Sequence, residues 1–122
     1  MHDRPLAPVT RRHLDRITGP HGIWQHAHHA DPDPAFGTCT DDVARALTVD
    51  LLHRHQLGWE AVAPSARRNL AYLTAAFNPA LGMFRDFRSA DGTWLDRFGS
   101  EDCQGRALLS LGIASREAPE VA

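Results

Sequence analysis

The chain repeats itself, and that constrains its fold more than any other feature. Arg45-Ala46-Leu47 returns about 60 residues later as Arg106-Ala107-Leu108, and in that register Asp41 falls on Asp102. Just upstream, Phe36-Gly37-Thr38 returns as Phe98-Gly99-Ser100, and Gly22-Ile23-Trp24 as Gly82-Met83-Phe84. The matches keep their order while their spacing shifts slightly, as loop insertions and deletions produce. Units of this kind bury their faces against neighbours and are unstable alone.

Each copy has the same grammar: a glycine, an aliphatic residue and an aromatic one, then Phe-Gly with a small hydroxyl residue, then acids that open a helix. In the first copy Thr40 is the expected N-cap, with Asp41 and Asp42 in the first turn, where acids suit the helix dipole. Val43, Ala44, Leu47, Leu51 and Leu52 then keep helical spacing until Gly58 stops the helix. In the second copy Ser100 is expected to cap a helix carrying Ala107, Leu108, Leu111 and Ile113. A helix from Pro64 to Phe77, with Leu70, Leu73 and Phe77 as its apolar stripe, lies between them and is closed by Asn78-Pro79. A short helix precedes Gly19-Pro20, and Asp31-Pro32-Asp33-Pro34 reads as loop. Residues 83–97 read as a small β-hairpin turning at Asp91-Gly92. The predicted class is therefore all-α, with helices over about 9–17, 41–57, 64–77 and 100–115 in a single domain, 1–122, whose two repeats span about 9–57 and about 64–115.

Composition narrows function mainly by exclusion. With 122 residues, 43% of them apolar, and a net charge of -2, the chain reads as globular, with no general attraction to nucleic acid or an anionic membrane. Neither a signal-peptide core nor a membrane-length apolar run is visible, and two cysteines, Cys39 and Cys103, are too few for a disulfide framework. A cytoplasmic protein with reduced thiols is expected. Two hairpins leave apolar flanks open, so a fragment, or a protomer that associates with itself, is expected too.

The stretches Gly22-Ile-Trp-Gln-His-Ala27, Cys39-Thr-Asp-Asp-Val-Ala-Arg-Ala-Leu47, Gly82-Met-Phe-Arg-Asp-Phe87 and Ser100-Glu-Asp-Cys-Gln-Gly-Arg-Ala-Leu108 resemble a bacterial family. Its members are α/α-toroid domains, found alone or fused behind a glycosyltransferase, within the six-hairpin glycosidase superfamily. The resemblance covers about 13–112 and implies a partial α/α toroid, about two of six hairpins, with a role in carbohydrate binding, cleavage or transfer. It also implies a glycan or small sugar as ligand and a glycosyltransferase domain as a partner. The chain departs from the family pattern at Gly19-Pro20-His21, where an acidic pair is usual, at Val43 in place of asparagine, and at Cys103 in place of a frequent serine.

Glycoside chemistry needs two carboxyl groups, one protonated and one ionised. Asp41-Asp42 and Glu101-Asp102 supply four at the starts of equivalent helices, which a toroid places on one rim. Asp41 with Arg45, and Asp102 with Arg106, have the spacing of helix-surface ion pairs and read as scaffold or sugar-binding groups. Asp42 and Glu101 are thus the expected catalytic pair. Trp24 and Trp94 are candidate sugar platforms, and Gln25 and His26 candidate orienting groups, while Phe84 and Phe87 read as core. Scaffold binding of protein, or non-catalytic glycan binding, are the alternatives. Eight histidines without a metal-ligand spacing predict neither a metal site nor a cofactor.

Overall fold

The structure, a computed structural model, describes residues 7–119; the ends of the expected 1–122 domain lie outside the described residues. Four helices carry the architecture: α1 (Arg12–Arg16), α2 (Thr40–Leu57), α3 (Trp59–Ala76) and α4 (Glu101–Glu117). Between them, short antiparallel strands pair β1 (Ala27–His28) with β2 (Asp31–Pro32), β3 (Thr38–Cys39) with β6 (Phe87–Arg88), and β4 (Phe77–Asn78) with β5 (Met83–Phe84). No helix among the described residues is long and apolar enough to cross a membrane.

Helix α2 is central and packs against both α3 and α4. Its Val43, Leu47 and Leu51 recur at helical spacing and are sealed from solvent. Burying a leucine as completely as Leu47 stabilises by roughly 1.5–3 kcal/mol. Toward α2, α3 buries Val62, Ala66, Leu73 and Ala76, and α4 buries Cys103, Ala107 and Ala114. These mostly small side chains let the helices approach closely.

Helix directions follow from single contacts. Gly58, at φ 86°, alone separates α2 from α3, so α3 runs back along α2. Asp50 of α2 confirms this by accepting from Ser65 Oγ (2.8 Å) and Asn69 Nδ2 (2.9 Å), about as far past the turn as Asp50 lies before it. Helix α4 runs parallel to α2: Asp41 meets Cys103 at their starts, and Arg54 Nη1 reaches the Glu117 carboxylate (3.8 Å) at their ends.

Several expectations need correction. The helix expected over 9–17 is only the single turn α1, because Arg11 ahead of it inserts into the core, where its guanidinium donates to buried Asp50. Helix α3 begins five residues before Pro64, since Gly58 already supplies the turn, and Pro64 is carried inside the helix on its exposed side. Phe77 leaves the α3 stripe for β4, where it is exposed and meets Phe84 edge-on. Leu52 and Leu108 keep the helical spacing but face solvent.

The hairpin at 83–97 is split. The turn is present, with Gly92 N–H donating to Ser89 O (2.9 Å) and Leu95 N–H to Phe87 O (2.9 Å). Met83–Phe84, however, pairs with β4, and Phe87–Arg88 with β3. The stretch 31–34, expected as loop, holds β2 and the start of a 3-10 turn over Pro34–Phe36. Isolated bridges extend the β3–β6 pair on both sides, Trp24 to Thr38 and Arg88 to Trp94. A four-chain ladder one or two residues long therefore leads directly into the first turn of α2.

Candidate carboxylate site

Helix α2 takes its cap from another segment. Cys39 stands at the N-cap in extended conformation without a side-chain cap bond, and Thr40, the expected cap, instead donates its hydroxyl to Arg85 O (2.6 Å). The Thr40 N–H donates to Asp86, to both its carbonyl oxygen (2.8 Å) and its Oδ1 (3.1 Å). Asp86 is held in turn by Asp96, whose carboxylate accepts the N–H groups of Asp86 (2.8 Å) and Phe87 (2.7 Å). At α4 the expected cap forms: Ser100 Oγ accepts from Cys103 N–H (3.2 Å).

Because α2 and α4 are parallel, these two capped ends adjoin. One carboxylate oxygen of Asp41, one of Asp86 and the Cys103 sulfur lie within 4.8 Å of one another. Gly99 permits the approach: a Cβ there would stand 2.7 Å from Cys103 Sγ and 2.8 Å from Asp86 Cβ. Asp86 and Cys103 are buried. Asp41 is half-buried, and its buried Oδ1 has no hydrogen-bond partner among the described residues.

The electrostatics follow from that crowding. Burial, then the charge of Asp41, pushes the Asp86 carboxyl above the usual range, against the opposing pull of backbone N–H groups at Asp41 and Thr40. Burial and the neighbouring Asp86 and Asp41 carboxylates push the Cys103 thiol up, so it stays protonated. Two close carboxylates cannot both be comfortable as anions away from water. The pair can hold a single proton, carried by Asp86, whose carboxyl is the one pushed upward. It can alternatively share a divalent cation, with two oxygens and a sulfur as first ligands, a donor set acceptable to zinc.

The predicted residues divide around this centre. Asp42 lies on the helix surface, where its carboxylate meets Arg45 (3.9 Å). The sequence pairing of Arg45 with Asp41 is thereby replaced, since Asp41 is turned toward α4. Glu101 and Asp102 are exposed in the first turn of α4, outside the cluster. Arg45 and Arg106 line one groove between α2 and α4, of about 300 Å³, with Thr48 and Leu109. Trp94 packs edge-on against Tyr72 (5.2 Å) beneath the Arg88 guanidinium (5.0 Å). Trp24 covers Gly19, at the opposite edge of the ladder from Trp94. Gln25 donates from Nε2 to Phe36 O (3.0 Å), and His26 meets the Phe36 ring (4.5 Å), so both are engaged in the loop before β3. Phe87, read as core, is exposed because strand alternation turns Phe84 and Asp86 inward and Phe87 outward.

Asp86 and Asp96 escape a sequence reading that seeks acids at helix starts. A signal was present: an acid at the inward position of an extended segment, two residues after a buried phenylalanine. A second polar cluster, Arg11, Asp50, Ser65 and Asn69, ties the segment before α1 to the α2–α3 hairpin. No family model matches the chain, and no match is found among curated proteins or solved structures.

Proposed function

We propose that this chain handles carbohydrate as one arc of an α/α toroid, with its ligand at the end where α2 and α4 begin. The observation that carries this reading is the Asp41–Asp86 pair, two carboxyls with oxygens within 4.8 Å of each other, one oxygen of Asp41 unpartnered among the described residues, set between two parallel helix starts. Alternation of antiparallel α2–α3 with a parallel α4 is what successive hairpins of such a ring require. In this reading Asp86, whose carboxyl is pushed upward, is the acid and Asp41 its partner carboxyl; their oxygens lie within 4.8 Å, just under the roughly 5–5.5 Å of a retaining glycosidase pair. The catalytic roles expected for Asp42 and Glu101 pass to these two. Asp42, Glu101, Asp102, Arg45 and Arg106 remain as polar groups around the same end, and Trp24 and Trp94 as its aromatic edges.

The test is a glycan array of neutral and acidic oligosaccharides probed with the whole chain, followed by Asp41→Asn and Asp86→Asn on any hit. Saturable binding that Asp41→Asn weakens at least about tenfold, a loss of about 1.4 kcal/mol, supports the reading. No saturable binding to any sugar refutes it. Bond cleavage that disappears in Asp86→Asn assigns hydrolysis, whereas binding without turnover assigns an accessory role beside a glycosyltransferase.

The same cluster favours one other reading, a divalent-cation site. Zinc that raises the melting temperature of the wild type but not of Asp86→Asn or Cys103→Ser supports it, and no shift in the wild type removes it.

A further inference from the structure

Helix α4 buries one face, Cys103, Ala107, Ser110 and Ala114, and shows solvent the other. On the open face stand Leu108 and Leu109, 63% and 66% exposed. Gly105 and Gly112 flank them, and a Cβ at either glycine would meet nothing within 4 Å. Glycine inside a helix weakens it relative to alanine. Nothing within the described residues needs these two, so the backbone there is bare for something that approaches from outside. Leu108, Leu109, Gly112, Ile113 and Arg116 border one shallow groove on this face.

The face is a palindrome. Counted from the point between Leu108 and Leu109, Gly105 mirrors Gly112, and Glu101 mirrors Arg116. All six residues fall within roughly 100° of arc on the helix. Glu101 is exposed, and Arg116 keeps 77% of its side chain exposed while its Nε touches Glu117.

We propose that α4 pairs antiparallel with α4 of a second copy about a twofold axis beside Leu108 and Leu109. Leucines of one helix then lie against leucines of the other, each glycine faces the partner's other glycine, and Glu101 meets Arg116 at both ends. A self-complementary patch with opposite charges at its two ends is what an isologous interface requires. Antiparallel pairing is also what α3 already makes with α2, the helix that carries fully buried Leu47, the repeat counterpart of Leu108. The proposal is independent of what the carboxylate pair binds.

Sedimentation velocity over a wide range of protein concentrations tests it, with thermal melts as the folding control. The wild type is expected to sediment as a monomer–dimer equilibrium. Gly105→Gln with Gly112→Gln should sediment as a monomer while melting no lower than the wild type does where the wild type is monomeric, since glutamine is the better helix former. Glu101→Arg and Arg116→Glu should each weaken dimerisation about tenfold, and together they should restore it, because the reversed charges again face each other. Three outcomes overturn the proposal: a monomer at every concentration, a dimer indifferent to the glycine substitutions, or a double charge reversal no better than either single one. The last would mean that whatever covers α4 is not its own mirror image.

Discussion

Replacing Asp86 separates its two duties, capping α2 and carrying charge beside Asp41. Asp86→Ala leaves the Thr40 N–H its bond to the Asp86 carbonyl but removes the side-chain acceptor that the Thr40 and Asp41 N–H groups use, and losing such a capping acceptor costs about 1 kcal/mol. Asp86→Asn keeps an acceptor oxygen, removes the like charge, and adds an N–H₂ donor beside Asp41, whose buried Oδ1 has no partner among the described residues. A hydrogen bond made there returns about 0.5–1.5 kcal/mol. Near pH 7.5 the asparagine variant should therefore equal or exceed the wild type in urea unfolding, while the alanine variant falls below both. The pH dependence has a definite sign. The folded-state carboxyl of Asp86 lies above its unfolded value, so the folded chain binds the extra proton and gains stability as the pH falls through the folded pKa. That gain is complete below the unfolded value of about 3.9, and each unit of separation is worth about 1.4 kcal/mol. Asparagine cannot take up this proton, so the advantage of Asp86→Asn over the wild type should shrink as the pH falls from 7.5 toward the unfolded value. If the asparagine variant is as unstable as the alanine variant throughout that range, the charge on Asp86 is required and the account of a proton held on Asp86 fails.

Three further outcomes test the scaffold. Asp50→Ala strands the Arg11 guanidinium in the core and should lower unfolding free energy by about 3–5 kcal/mol in urea titrations. Leu47→Ala should cost about 2–5 kcal/mol, whereas Leu108→Ala, measured where the chain is monomeric, should change stability by no more than about 0.5 kcal/mol. Ser100→Ala should lower stability by about 1 kcal/mol through the lost cap of α4, read as a shift in denaturant midpoint without a change in slope.

The helices were legible wherever local signals agreed with their neighbours. Gly58 ended α2 as expected, and Ser100 capped α4, because both act within one turn of the backbone. The start of α3 was hidden by Pro64. Proline is well suited to a first turn, so it read as the opening residue, although a helix can carry it further in when a sharp glycine turn has already begun the backbone course. The reach of α1 was overstated because Arg11 reads as a solvated cation until Asp50, far along the chain, is known to lie beneath it.

The site shows more directly why spacing underdetermines chemistry. Asp41 and Asp42 are adjacent acids in one first turn, and charge spacing favoured Asp41 as the partner of Arg45. Adjacent residues on a helix point about 100° apart, so only the direction of the next helix decides which acid is enclosed. A parallel α4 lies on the Asp41 side, and that leaves Asp42 to Arg45. The repeated Phe-Gly motif carried the needed information in another form. Gly37, at φ 66°, lies where a side chain would strike the Arg88 carbonyl of β6, and Gly99 lies where one would strike Asp86 and Cys103. Both glycines mark places where the 83–99 segment and a helix start must touch. Substitution of Gly99 is thus the sequence change that most directly separates Asp86 from Cys103 while leaving every carboxylate in the chain.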